Sequence, residues 1–182
     1  MLALFGKKKV TDTQISNYFV VTTLDTVERG WPEVAGFIND SLEFESQPQL
    51  ANDDYGKFLM IVIAANINTI SSQFDDGHDK EIIRQAVHKF AEAFDISPEA
   101  FASKLKEYRE FLSRVNHPSK NTLYAMSKGI FFKYNLNVHQ IEYFRNLNTP
   151  NPIFLRNMDE LMIHFLWDWK VIREKYKVIK ED

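Results

Sequence analysis

Met158, Met162, Phe165, Trp169, Ile172 and Tyr176 follow one another at spacings of 4, 3, 4, 3 and 4, an apolar seam with a period near 3.5 residues. Residues three and four apart share a helix face, whereas a strand turns every second side chain away, so the pattern predicts one long helix over 153–179. A seam of roughly five turns must be covered, either by the rest of the domain or by a partner. Thr149-Pro150-Asn151-Pro152 stands before it, and each proline biases its predecessor away from helix, so the seam starts fresh after a break.

The rest of the chain divides into helices with recognisable ends. Thr11-Asp12-Thr13-Gln14 has the spacing of a capping box and predicts a helix with Ile15, Phe19, Leu24 and Val27 on one face, ending at Gly30. Pro32, placed where a missing N–H is harmless, predicts a second helix to about Leu42. A polar loop follows, then a cap at Asp53 or Asp54 and a helix over 54–74. Its middle, Phe58 to Ala65, is apolar on all sides and belongs at the centre of a domain. Asp79 is the expected cap of a fourth helix. Ser97-Pro98-Glu99 opens a fifth that buries Phe101, Leu105, Tyr108 and Leu112 and stops before Pro118. Asn121 caps a sixth running to Tyr134, and a short seventh spans Val138 to Leu147. The expectation is an all-α chain: residues 1–10 as an apolar and basic lead-in, and 11–182 as a single-domain bundle of about seven or eight helices around the central apolar helix 54–74, closed by the C-terminal helix 153–179.

Composition agrees with helices. Six glycines in 182 residues are too few for a fold of many hairpins, and 45% hydrophobic residues supply an ample core. The absence of cysteine removes disulfides, thiolate zinc sites and a Cys nucleophile. The first residues place an apolar stretch before a basic one, the reverse of a secretory signal, and no apolar run approaches the roughly 20 residues that span a bilayer. We therefore expect a soluble, cytoplasmic protein. Leu2, Leu4 and Phe5 beside Lys7, Lys8 and Lys9 could make at most a weak contact with an anionic membrane surface.

The two halves of the chain differ in sign: residues 1–95 hold 8 Lys and Arg against 15 Asp and Glu, residues 96–182 hold 14 against 10. A basic second half admits nucleic acid as a partner, but its cations alternate with glutamates at helical spacing, as on a solvated face. The stretch from Lys104 to Lys133 lacks a recognition helix.

Chemistry is represented by absences. No Glu is followed three residues later by His, as a helical di-metal site requires, and there is no P-loop, dinucleotide fingerprint or G-x-S-x-G elbow. No cofactor is expected and no catalytic motif points to an enzyme. Asp75, Asp76, His78 and Asp79 could hold a divalent ion weakly, although a turn and helix cap account for them more simply. Two readings of function remain. The leading one is a non-catalytic interaction or regulatory module that binds a protein partner or itself through Trp167, Trp169 and Tyr176, because aromatic residues are enriched at interface hot spots. The other is a helical ligand-binding protein or enzyme with a pocket for a small apolar molecule near Phe131, Phe165 and Trp169.

Overall fold

Capping chemistry sets the order of elements. In a computed structural model, which describes residues 7–74 and 77–179, the fold is all-α with one short sheet. Strand β1 (Lys8–Thr11) leads into helix α1 (Asp12–Asn39). The capping box forms as read: Thr11 N–H donates to Gln14 Oε1 at 3.1 Å and Gln14 N–H to Thr11 Oγ1 at 3.2 Å. Then come α2 (Gly56–Ile70), α3 (His78–Ala93), α4 (Pro98–Asn116) and α5 (Thr122–Lys133). Ala100 N–H donates to Ser97 Oγ at 3.1 Å, and Asn121 Oδ1 accepts from Leu123 and Tyr124, so these two caps also stand where the sequence put them. A 3₁₀ turn (Leu136–His139), α6 (Glu142–Leu147) and α7 (Pro152–Met162) complete the middle of the chain.

Four expectations are corrected. Gly30 does not end a helix and Pro32 does not begin one, because both lie inside α1. Glycine is needed at 30 for close approach instead: a Cβ there would stand 2.7 Å from two ring carbons of Phe165. Asp79 is not the cap of α3, whose preceding residue is Gly77 with φ of 82°. The predicted lead-in contains a strand. Finally, the seam is not one helix, since α7 ends in a 3₁₀ turn (Ile163–Phe165) and the chain restarts as α8 (Trp169–Lys175) and strand β2 (Tyr176–Ile179). Asp168 Oδ1 accepts from Val171 N–H at 3.1 Å and so caps α8, a start signal inside a periodicity that otherwise reads as continuous.

The residues form two compact units. One takes residues 23–65 and 105–166. Trp31 stacks on Tyr134 at 5.0 Å and packs on Phe58 at 5.3 Å. The Tyr134 hydroxyl donates to the Asp54 carbonyl at 2.7 Å and accepts from Phe58 N–H at 3.1 Å. Residues 58–65 of α2 are buried here except Met60, as an all-round apolar run requires. Fully buried Gln140 fastens the loop before α7, donating to the Thr149 carbonyl at 2.8 Å and accepting from Asn151 N–H at 2.7 Å.

The other unit takes residues up to 22, 66–104 and from 167 on. Its core is a ladder of rings: Phe19 on Phe90 at 5.8 Å, Phe90 on Phe101 at 5.6 Å, Phe19 on Trp169 at 5.2 Å and Phe74 on Trp169 at 5.7 Å. Strands β1 and β2 lie parallel within it, with Lys8 opposite Tyr176, Lys9 opposite Lys177 and Val10 opposite Val178.

Candidate functional site

The site is built where the expected seam helix breaks. Asn66, fully buried on α2, accepts Trp167 N–H through Oδ1 at 2.8 Å, taking a donor that a continuous helix would have used internally. Thr69, one turn on, accepts Trp169 Nε1–H at 3.0 Å and donates to the Asn66 carbonyl at 2.7 Å. Two polar residues of one helix thus fix both tryptophans. Trp169 is buried, whereas Trp167 is only half-buried and packs on it with ring centroids 5.1 Å apart and the planes tilted by 35°.

Trp167 also meets Phe19 at 5.2 Å and Tyr18 at 5.4 Å, both edge to face. Tyr18 lies off the buried face of α1 and is 62% exposed. Beside these rings is an open cleft of about 270 Å³, lined by Val10, Ile15, Tyr18, Trp167, Ile172 and Tyr176, with Lys8, Lys9 and Gln14 exposed around it. Tyr176 also borders a second concavity of about 410 Å³, which Lys7, Arg173 and Lys177 line together with Gln73, Phe74 and Val178. Lys7 Nζ donates to the Arg173 carbonyl at 2.8 Å.

Neither concavity has a carboxylate, imidazole or serine in its lining; the polar side chains there are Lys, Arg, Gln and Tyr. The arrangement can bind: aromatic walls take an apolar group, and lysines around them favour an anion nearby. Of the three residues the sequence singled out for interaction, Trp167 and Tyr176 line the cleft and Trp169 supports it from below the surface. Tyr18 is not singled out by the sequence, and Lys8 and Lys9 are expected there only as part of a membrane-surface contact, not beside these rings. The one local signal was Tyr18 and Val21, apolar residues standing off the α1 face that carries Ile15 and Phe19.

Asp75 and Asp76 lie outside the described residues. His78 Nδ1 is taken by the Asp12 carboxylate at 2.8 Å, Asp79 sits in the first turn of α3, and among the described residues no group of three or more His, Cys, Asp and Glu could hold a metal ion. Phe131, Phe165 and Trp169 are all buried, and Phe165 borders an open cleft of about 320 Å³ with Gly30, Val34, Leu161 and His164. In the basic stretch, Lys106 pairs with Glu110 at 3.9 Å and Lys133 with Glu107 at 3.6 Å, leaving less charge for a phosphate backbone. Leu2, Leu4 and Phe5 lie outside the described residues, and no helix among those described is long and apolar enough to cross a membrane. The chain matches no protein-family model, no curated protein and no solved structure.

Proposed function

We propose that the chain is a non-catalytic protein-interaction module that receives an apolar side chain of a partner in the cleft between Tyr18, Trp167 and Tyr176. The observation that carries this reading is a ring pair with one exposed member: Tyr18, 62% exposed, stands edge to face on half-buried Trp167 at 5.4 Å. Rigid, amphipathic rings of this kind act as anchors in interfaces because they bury much area at little cost in side-chain entropy. The lining holds no carboxylate, imidazole or serine, which favours binding over hydrolytic chemistry at this site.

The test is selection of the immobilised full chain against a random dodecapeptide display library. A consensus with one apolar or aromatic position, lost when Tyr18→Ala and Trp167→Ala are introduced, is the expected outcome. Absence of a consensus, or one that both variants retain, ends the reading.

A further inference from the structure

A two-stranded sheet leaves one edge of each strand without a partner strand, and here β1 carries two lysines and β2 one. Lys9 and Lys177 are held directly opposite each other across the parallel pair, where neighbouring strands run about 5 Å apart. Like charges in that register oppose pairing, and among the described residues neither lysine has an ion-pair partner. The surroundings do not relieve them. Residues 7–9 and 168–179 carry seven Lys and Arg against Asp168 and Glu174; the first of these acids caps α8 and the second reaches Lys170 at 4.0 Å.

We infer, resting on the interaction reading above, that the partner segment is acidic and extended, and that it pairs with an edge of the β1–β2 sheet while its apolar side chain enters the Tyr18–Trp167 cleft. Three features select this occupant. A strand edge presents N–H and C=O groups in alternation, which an extended peptide satisfies and a lipid headgroup, having acceptors but few donors, does not. Carboxylates beside Lys9 and Lys177 would neutralise a charge pair that costs the free protein stability. The same edge on a second copy would bring its own lysines against these, so the cations that attract an acidic strand repel self-pairing.

The experiment is fluorescence anisotropy of the full chain with a labelled ten-residue peptide that alternates Glu and Val around a central Phe. Three comparison probes are used: the same peptide with Lys for Glu, the same peptide N-methylated at alternate residues, and vesicles of phosphatidylserine and phosphatidylcholine. The acidic peptide should bind, weaken with added salt, and lose about tenfold in affinity with Lys9→Gln and Lys177→Gln together, while those substitutions raise the thermal midpoint of the free protein. A role of the two lysines in structure alone would move affinity and midpoint in the same direction. Equal binding of the lysine or N-methylated peptide, no peptide binding at all, or retention of the chain by anionic vesicles without peptide binding overturns the inference. The library selection keeps the two failures apart: a consensus that depends on Trp167 but lacks acidic positions removes the acidic strand and leaves the cleft.

Discussion

Ser127 is fully buried on α5, and its hydroxyl donates to Asp159 on α7. Burial pushes the Asp159 carboxyl above its ordinary value of 3.8, and the hydrogen bond from Ser127 only partly opposes that. A carboxyl whose folded-state pKa exceeds its unfolded one stabilises the fold below the unfolded pKa and loses that contribution as pH rises through the folded one. At neutral pH Asp159 is therefore a charge held where its charged form is disfavoured, and an amide could accept from Ser127 without the penalty. Asp159→Asn should raise the thermal midpoint by about 1–3 °C at pH 7, and the gain should vanish near pH 3. Asp159→Ala should instead cost about 1–3 kcal/mol near pH 3, because it leaves a buried hydroxyl unpaired, and less at pH 7, where it also removes the disfavoured charge. Melts of the three proteins followed by circular dichroism decide this; a midpoint for the Asn variant that gains nothing at pH 7 contradicts the assignment. Glu81 is the opposite case. Arg84 holds its carboxyl down at about 2 through a hydrogen bond at 2.6 Å, but the pair is largely exposed and contributes little to stability.

At the scale of elements, Pro32 shows where local reading and tertiary structure part. A proline brings no N–H to a helix interior and crowds the carbonyl four residues earlier, at a cost of about 3 kcal/mol, so ending the helix at Gly30 was sound local chemistry. The core overrides it: Val27, Trp31, Val34, Ala35 and Ile38 are all buried, a stripe that continues only if the helix does. Pro32 itself is exposed, so Pro32→Ala gives up no buried contact. It should stabilise the protein by about 1–2 kcal/mol once the looser unfolded chain is subtracted, read as a higher urea midpoint at unchanged slope. A lower midpoint would mean that the proline bends α1 in a way the core requires. Caps such as Thr11, Ser97 and Asn121 were legible because their hydrogen bonds reach only two or three residues along the chain. The 163–168 break was not: the acceptor for Trp167 N–H is Asn66, about a hundred residues away, and no period in the seam announces it. Trp167 is recognisable as an aromatic beside the seam and Tyr176 as its last member, whereas Tyr18 and the lysines become a site only through packing that brings distant segments together.

For the whole molecule, the contrast between an acidic first half and a basic second half is redistributed on folding, because each unit draws residues from both halves yet the two still differ in sign. Among the described residues the unit holding the cleft carries 11 Lys and Arg against 8 Asp and Glu, and the other carries 10 against 13. The cleft's unit is assembled from both ends of the chain, since β1 and β2 pair in parallel and Lys7 meets the Arg173 carbonyl across 166 residues of sequence. Closing so long a loop is entropically costly, and four residues of ladder are a small return, so this pairing should be among the last structure formed and the first lost. Val10→Pro removes a ladder donor and fixes a φ ill suited to a strand. Its effect should appear at the opposite terminus: amide hydrogens at 177–179 exchange faster by about tenfold or more, while those of α5 and α7 keep their protection. Hydrogen–deuterium exchange with peptide-level mass spectrometry reads both at once. Unchanged exchange at 177–179 would show that β2 is held without β1. Faster exchange there, accompanied by weaker binding in the Tyr18–Trp167 cleft, would establish that the pairing of the chain ends also shapes the site, because Val10 and Tyr176 both line it.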